Sequence, residues 1–306
     1  MKLDLSQINI LLIGDLMVDH YFFGTSNRLS PEAPIPVINL EEEVVTPGGA
    51  GNVAMNLKSL GVNVTCLGCV GDDFFGKKLI SIFEKNNINI EKIEILKNYK
   101  TTRKQRVYCD SKQQSRLDSE DLLFDWAPSE EINYDKFDLI ILSDYNKGVF
   151  SSKWFDPGDK DVVLDPKKLN INIFKKSSII TPNISELSDL TNLDFKNQNM
   201  IVKAAHKLLK QYDLKYVITT LGDKGMIIVD HQGLVESIPS HNVENPDVTG
   251  AGDTVLAIFS SIYAISKDVI FSSKVANLGA SMVVAEKGTS QINLKNLEAS
   301  IRSKIM

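Results

Sequence analysis

Six short apolar runs, rich in β-branched residues, alternate along the chain with segments of helical periodicity. A strand that is buried on both faces gives such a run, and a crossover helix gives the segment that follows it. The six runs are INILLIGD, VNVTCLGCVGD, FDLIILSD, DVVLDP, SSIITPN and KYVITTLGD. The alternation therefore predicts an α/β fold with a mainly parallel central sheet flanked by helices.

Each of these runs ends at a polar residue. In an open α/β sheet the carboxyl ends of the parallel strands meet at one edge, where ligands bind. We therefore expect a binding site that draws on Asp15, Asp144, Asp165, Asn183 and Thr220. Taken singly, each residue is more typical of a turn that ends a strand, so the prediction depends on the five together.

Two regions lack helical periodicity. Residues 16–45 and 100–118 show strand-like alternation, and the first also contains prolines. This pattern predicts a small β-sheet beside the main sheet, in the position of a lid. No repeat, low-complexity tract or linker divides the chain, so we predict a single domain over residues 1–306.

The composition argues against several functional classes. A net charge of −5 disfavours a nucleic-acid-binding protein, which needs a dominant basic field. No apolar run reaches the roughly 18 residues of a membrane-spanning helix, so no membrane partner is expected. Cys66 and Cys69 lie in one apolar run without a second pair, which favours buried strand cysteines over a metal or redox site. Three cysteines in 306 residues fit a reducing compartment, and we expect a cytoplasmic protein.

One glycine-rich segment resembles a P-loop incompletely. Gly71–Lys78 (GDDFFGKK) has the glycine and lysine spacing of that loop. Lys78, however, stands where a Ser or Thr is needed to bind the metal ion. An aspartate that caps the following helix explains the segment better.

A second segment, Gly48–Ala54 (GGAGNVA), fits the loose dinucleotide-binding fingerprint. This match leaves a dinucleotide-dependent oxidoreductase open as an alternative. In the other interpretation, Gly48 and Gly49 let the backbone approach a small polar ligand, and Asn52 binds its hydroxyl groups.

Gly250, Ala251 and Gly252 directly precede Asp253 at the start of an apolar helical run. The N–H groups at a helix start have no intrahelical acceptor, and with the helix dipole they form an anion site that suits a phosphoryl group. A carboxylate behind such a site can accept the proton of an attacking hydroxyl. The segment therefore indicates phosphoryl transfer, with an acid that merely favours the helix dipole as the alternative.

The motifs PGGAGNVAMNLKSLG and DVTGAGDT, with the alternation between them, resemble the PfkB/ribokinase family of sugar kinases. The resemblance covers essentially the whole chain and implies a ribokinase-like fold, ATP and Mg²⁺. Five ordered motifs, RLSPEAPIPV, SDYNKGVF, LDPKK, TPNISE and DVTGAGDT, are similar to those of the branch that phosphorylates a heptose 7-phosphate. One departure is Ile258, where the family usually has a small residue, and we expect altered helix packing there.

The resemblance implies roles for individual residues. Asp253 would take the proton from the sugar C1 hydroxyl, and the N–H groups of residues 250–252 would hold the transferred phosphoryl group. Glu186 would organise Mg²⁺ through water, and Asp247 would lie near a monovalent-cation site, which adds K⁺ to the expected ligands. The implied ATP-binding residues are Asn183, Ile184, Ser185, Glu186, Thr220, Gly222, Gly225 and Asn277.

Charge supports a phosphorylated sugar as the acceptor. From Lys97 to Arg116 there are seven basic residues and one acidic residue in a chain that is acidic overall. Carboxylates bind sugar hydroxyls, and we favour Asp15 over Asp19 because Asp15 directly follows the first strand. The predicted substrate-binding residues are Asp15, Gly48, Gly49, Asn52, Arg103, Arg106, Asp144, Lys147 and Lys167.

We therefore expect a kinase that uses ATP to convert D-glycero-β-D-manno-heptose 7-phosphate into its 1,7-bisphosphate, a precursor of ADP-heptose and of the lipopolysaccharide core. A kinase of another sugar or sugar phosphate is the nearest alternative, and a catalytically silent sugar-nucleotide-binding protein is another. None of the four histidines lies in an HxGH sequence, so a separate nucleotidyltransferase is expected for the next step. Lid strands of this family often pair between subunits, which makes a homodimer the expected assembly.

Overall fold

The computed structural model describes residues 3–241, 243, 246–285 and 290–305. Within these ranges the strands are β1 (Asn9–Gly14), β2 (Leu16–Thr25), β3 (Asn39–Gly49), β4 (Asn63–Gly71), β5 (Asn89–Leu96), β6 (Thr102–Cys109), β7 (Lys112–Ser119), β8 (Leu139–Ser143), β9 (Val162–Asp165), β10 (Ile179–Ile180), β11 (Tyr216–Thr220), β12 (Met226–Asp230) and β13 (Gly233–Ile238). The helices are α1 (Ala50–Ser59), α2 (Phe74–Lys85), α3 (Ile171–Phe174), α4 (Ile184–Thr191), α5 (Gln198–Tyr212), α6 (Ala251–Ser266), α7 (Val269–Val283) and α8 (Leu294–Lys304).

The main sheet has nine strands in the order β13-β12-β11-β10-β9-β8-β1-β4-β5. All its pairs from β11 to β5 are parallel, and β12 and β13 add an antiparallel edge. Helices α1, α2, α6, α7 and α8 bury their apolar side chains on one face, and α3, α4 and α5 bury theirs on the other. The predicted α/β fold with a mainly parallel sheet between helices is confirmed.

Neighbouring strands of this sheet end at the same level. In the register, Gly14 of β1 lies beside Ser143 of β8, and Ser143 lies beside Asp165 of β9. Two backbone hydrogen bonds extend the ladder beyond the strands, from Asp15 N to Ser143 O at 3.2 Å and from Asp144 N to Asp165 O at 3.1 Å. The acidic residues that follow β1 and β8 and the one that ends β9 therefore share one edge.

A second sheet of four strands has the order β3-β2-β6-β7. Its central pair, β2 and β6, is parallel, and its two outer pairs are antiparallel. The segments that lack helical periodicity in the sequence supply these strands. Because β3 ends at Gly49 and α1 begins at the next residue, this sheet passes directly into a helix that packs on the main sheet.

Local side-chain chemistry explains several helix boundaries. Asp73 caps α2 by accepting a hydrogen bond from Gly76 N at 2.7 Å. Helix α6 begins after Gly250, whose φ of 75° lies in the left-handed region. Further along α6, Ile258 packs against Gly279 of α7, where a side chain would clash with it. The large residue on one helix is therefore accommodated by a glycine on its neighbour.

Cys66 and Cys69 are both buried within β4. Burial raises the pKa of both thiols well above the usual value, so they stay protonated. Within the described ranges no helix has both the length and the apolar character that a membrane crossing requires.

Candidate active site

Asp253 lies in the first turn of α6 and is only 6% exposed. Asn52 of α1 donates a hydrogen bond from Nδ2 to Asp253 Oδ2 at 2.8 Å, and the Tyr145 hydroxyl donates one to Oδ1 at 2.6 Å. Burial raises the pKa of Asp253 to about 6, and the two hydrogen bonds act in the opposite direction. A carboxylate with this proton affinity is suited to act as a general base near neutral pH.

The helix start before Asp253 faces open space. A Cβ atom placed on Gly252 would meet no heavy atom within 4 Å, so the cleft reaches the backbone there. Of the three predicted N–H donors, Ala251 is already engaged, because its N–H donates to Val248 O at 3.2 Å. The prediction for Ala251 is therefore corrected, and the first-turn N–H groups of residues 252 and 253 replace it as candidates for the anion site.

One cleft brings together residues from both halves of the main sheet. Its lining consists of Asp144, Tyr145, Asp165, Lys167, Thr181, Asn183, Glu186, Thr220, Gly250, Gly252, Asp253 and Val255. Most of these residues follow strands or begin helices at the carboxyl edge of the sheet. Four of the five strand-end residues predicted from the sequence belong to this lining, and Asp15 is the one that does not.

Asn183 and Glu186 form a capping box at the start of α4. Glu186 N donates to Asn183 Oδ1 at 2.9 Å, and Asn183 N donates to Glu186 Oε2 at 3.0 Å. The Lys167 ammonium group donates to Glu186 Oε1 at 3.1 Å. The TPNISE motif therefore caps helix α4. The same contacts hold the Glu186 carboxylate and the Lys167 ammonium group at the cleft. Ile184 and Ser185 form the first turn of the helix between them.

The remaining predicted nucleotide residues lie apart from this lining. Gly225 has a φ of 89° and lies against the backbone of residues 238–240, so a side chain there would clash. Gly222, also with a positive φ, begins the short turn that leads to it. Asn277 donates from Nδ2 to Pro239 O at 2.8 Å. These contacts hold residues 238–240 in place, and roles in ATP binding stay predictions.

Asp247 is linked to the turn before α6. Its Oδ1 accepts a hydrogen bond from Thr249 N at 3.0 Å, and its own N–H donates to Val284 O at 2.9 Å. The monovalent-cation site at this position stays a prediction.

Asp15 is 2% exposed and faces the backbone of the loop after β8. Its carboxylate accepts hydrogen bonds from Tyr145 N at 2.8 Å, Lys147 N at 3.0 Å and Val149 N at 3.3 Å. Burial raises its pKa, and these N–H donors oppose that shift. The predicted sugar contact of Asp15 is therefore corrected, because its oxygens already hold the loop that carries Tyr145.

Asp19 is the other carboxylate that the sequence offered for the sugar hydroxyls. It is 6% exposed, and its Oδ1 accepts a hydrogen bond from Arg106 Nη1 at 2.5 Å across the second sheet. Lys104, on the same strand face as Arg106, lies with Nζ 5.0 Å from the centre of the Tyr145 ring. Within the described ranges Lys104 pairs with no carboxylate, and burial lowers its pKa. Gly48 lies against the Asp19 carboxylate.

Arg103 lies on the opposite face of β6. Its guanidinium carbon is 4.4 Å from the centre of the Phe75 ring on α2, because alternate residues of a strand point to opposite faces. Of the two predicted substrate-binding arginines, Arg103 therefore lies on the face of β6 opposite Arg106, and Lys104 is the residue that shares the face of Arg106. Lys147, in turn, forms an ion pair with Glu120 at 2.5 Å.

The cleft suits a nucleotide with a divalent cation. Burial and the neighbouring Asp15 carboxylate raise the pKa of Asp144 to about 7. Burial and the Glu186 carboxylate raise the pKa of Asp165 well above its usual value. A bound cation would relieve this repulsion between carboxylates. In the described part of the chain no three acidic, His or Cys side chains form a metal site by themselves. Mg²⁺ would therefore depend on phosphate oxygens and water, as it commonly does.

Tyr145, Asp19 and Lys104 lie near Asp253 and are absent from the residues that the sequence predicted for the site. Tyr145 stands in DYNKG between two residues that were selected, Asp144 and Lys147. Because residues two positions apart in a strand point to the same face, the sequence could have predicted that residues 104 and 106 lie on one face. No pattern in the sequence predicts that backbone donors engage Asp15 and not Asp19, because these donors belong to the loop that packs over the end of the first strand.

Comparison with known proteins adds the family context. The profile of the pfkB family carbohydrate kinases matches residues 7–296. The chain is 36% identical over 310 residues to the Bifunctional protein HldE of Campylobacter curvus (strain 525.92), covering 97% of this chain and 66% of that protein. It is 36% identical over 307 residues to the protein of the same name from Aliarcobacter butzleri (strain RM4018), covering 94% and 63%. The chain thus spans about two thirds of the length of these curated relatives.

Solved structures show the same fold. Arabidopsis thaliana ribokinase, complexed with ribose and ATP, aligns with a TM-score of 0.77 at 20% identity, covering 95% of this chain and 98% of that one. The expected ribokinase-like fold is therefore confirmed.

Proposed function

Because the chain belongs to the pfkB family of carbohydrate kinases, we propose that it transfers the γ-phosphoryl group of ATP to the C1 hydroxyl of D-glycero-β-D-manno-heptose 7-phosphate. The observation that carries the proposal is the environment of Asp253. This carboxylate is buried at the start of α6, held by Asn52 and Tyr145, and faces a cleft that is open at Gly252. A binding protein without catalysis would have no need of a buried carboxylate with a raised pKa.

Each side of the cleft has a distinct task in this proposal. The sugar would lie between Asp253 and the second sheet, where Asp19 accepts hydrogen bonds from its hydroxyl groups. Lys104 and Arg106, on the same strand face, would attract its phosphate group. The nucleotide would lie along Thr220, Asn183 and Glu186.

The chemical step follows from the position of Asp253. The carboxylate removes the proton of the attacking hydroxyl, and its raised pKa gives it useful basicity at neutral pH. The N–H groups at the start of α6 stabilise the negative charge of the phosphoryl oxygens. Bound ATP with Mg²⁺ supplies the phosphoryl group and neutralises charge on it. The residues of this chain therefore orient the hydroxyl and accept its proton, and ADP leaves as the phosphoryl group is transferred.

The structure does not support the dinucleotide-binding or the P-loop interpretation of the two glycine-rich segments. Strand β3, which precedes Gly48–Ala54, belongs to the second sheet, whereas β4 belongs to the main sheet. A dinucleotide-binding unit needs both strands parallel in one sheet. At Gly71–Lys78, Asp73 caps α2 and Lys77 pairs with Asp72 at 2.7 Å. Neither segment therefore supports a different cofactor.

A panel of acceptors tests the proposal. ADP release is measured with the heptose 7-phosphate, with the unphosphorylated heptose, and with 5- and 6-phosphates of shorter sugars. We expect the heptose 7-phosphate to give the highest kcat/KM. Asp253→Asn should lower kcat by about 10²- to 10⁴-fold while ATP still binds, because it removes the base and keeps the shape. Faster turnover of an unphosphorylated sugar would contradict the assigned acceptor.

The assembly and pathway context belong to the same proposal. A homodimer formed through the second sheet and a nucleotidyltransferase activity that acts on the bisphosphate product are expected, with K⁺ as a further ligand near Asp247. Sedimentation and the dependence of kcat on K⁺ would test the first and last of these.

A further inference from the structure

Tyr145 donates the shortest hydrogen bond that the described structure gives Asp253. The hydroxyl lies 2.6 Å from Asp253 Oδ1, whereas Asn52 reaches Oδ2 at 2.8 Å. A carboxylate offers about four lone-pair positions, so these two donors leave room for the hydroxyl of an acceptor. Burial and the nearby Asp253 carboxylate raise the pKa of Tyr145 well above 10, so it stays a neutral donor. The contact is therefore present over the whole range in which a kinase works.

The backbone of Tyr145 is fixed independently of its side chain. Asp15 accepts hydrogen bonds from three N–H groups in residues 145–149. The same loop contains two residues with positive φ, Asn146 at 57° and Gly148 at 108°, which fold it tightly over the end of β8. A rigid loop thus presents the phenol to Asp253, and this gives the buried Asp15 a purpose without contact to the sugar.

The Tyr145 ring also meets the second sheet. Lys104 Nζ lies 5.0 Å from the ring centre, within the range of a cation–π contact. The charged groups that face Asp253 are Lys104 and Asp19 from the second sheet and Asp165 from β9. Lys104 favours the ionised form of Asp253, and the two carboxylates disfavour it. Tyr145 therefore contacts both the Asp253 carboxylate and the ammonium group of Lys104 on β6.

We propose that Tyr145 is a positioning residue for phosphoryl transfer, whose hydroxyl holds the Asp253 carboxylate in one orientation and favours its ionised form. The inference rests on the proposed function of Asp253 as the base. It extends the site by a residue on the loop after β8, which acts through Asp253 and not through the phosphoryl group.

The pH dependence of kcat/KM tests this role in Tyr145→Phe, which keeps the ring and removes only the hydroxyl. Asp253 must be ionised to act as a base, so activity rises with pH through its pKa. Loss of a donor to the carboxylate raises that pKa, and the acid limb should move to higher pH by about one to two units. Tyr263→Phe makes the same chemical change further along α6 and should leave the limb unmoved. An unchanged limb in Tyr145→Phe would overturn the inference.

A second readout does not depend on turnover. Without the phenol, ionised Asp253 is buried with one donor fewer, so Tyr145→Phe should lower Tm more at pH 8 than at pH 5. This difference between the two pH values should vanish in the Asp253→Asn background. An equal loss of Tm at both pH values would mean a purely structural tyrosine and would also overturn the inference.

The two readouts separate this inference from the proposed function. If the wild-type protein phosphorylates no sugar, the proposed function fails, and the Tm comparison still decides the contact between Tyr145 and Asp253. If the wild-type protein is active and Asp253→Asn is not, but Tyr145→Phe matches the wild type in both readouts, the inference alone fails.

Discussion

Gly48→Ala is predicted to lower the activity towards the sugar substrate while the protein still folds. A Cβ atom at this position would lie 2.5 Å from Asp19 Oδ2 and 3.0 Å from Asp19 Cγ. Ordinary contacts begin at 3.4 Å, so the carboxylate must move by about 0.9 Å, the difference between 3.4 Å and 2.5 Å. Gly48 has no positive φ in this structure, so the backbone accepts alanine without strain. The Asp19 side chain is therefore the part that yields.

The kinetic cost follows from that displacement. A misplacement of about 1 Å in a group that positions substrate can cost about 10²-fold. We expect kcat/KM for the sugar phosphate to fall by about that factor, or about 2.7 kcal/mol of transition-state stabilisation. KM for ATP should stay near the wild-type value, because Gly48 lies on the side of the second sheet.

Steady-state kinetics with each substrate varied in turn provides the assay. Gly61→Ala is a matched control, since Gly61 has a φ of 88° and no atom within 4 Å of its added Cβ. That variant should lose about 1 kcal/mol of stability through backbone strain and keep normal sugar kinetics. In an Asp19→Asn background, Gly48→Ala should add little, because both changes act on one carboxylate. A folded Gly48→Ala protein with wild-type kcat/KM for the sugar would refute the placement of Asp19 in the sugar site.

Two further predictions concern charge at the cleft. Lys104→Ala should raise KM for the sugar phosphate by about tenfold or more, whereas Arg103→Ala, on the opposite face of β6, should leave that KM unchanged and lower Tm. Equal effects of the two variants on KM would contradict the assignment by strand face. For wild-type enzyme, the acid limb of kcat/KM should have its midpoint near the Asp253 pKa of about 6, with activity lost as pH falls, because protonation removes the base. An acid limb that lies near pH 4 would argue against this carboxylate as the titrating group.

The sequence predicts the main sheet well because its strands carry a strong local signal. Runs such as FDLIILSD are buried on both faces, and β8 lies at residues 139–143 within that run. Asp253 and the capping box at Asn183 are equally local, since each depends on a helix start that is visible in the sequence. Gly48 was predicted to let the backbone approach a ligand, whereas the group that it approaches in the structure is the Asp19 carboxylate.

Contacts between distant elements explain what the sequence could not predict. Asp15 and Asp19 are both acids near the first strand, and the packing of residues 145–149 engages only the Asp15 carboxylate. The hydrogen bond from Tyr145 to Asp253 joins residues 108 positions apart. Arg103 and Arg106 were both predicted to bind the substrate. Strand alternation already placed the two side chains on opposite faces, and this pattern was visible in the sequence.

The position of the new phosphoryl group on the sugar distinguishes the proposed reaction from other sugar phosphorylations. D-glycero-β-D-manno-heptose 7-phosphate is incubated with ATP and Mg²⁺, and the product is examined by ³¹P NMR with coupling to the sugar protons. We expect two sugar phosphate signals, with the new one coupled to the anomeric proton, and no such signal from Asp253→Asn within the time in which the wild-type enzyme completes the reaction. A new phosphate at any other carbon, or full product formation by Asp253→Asn, would contradict it.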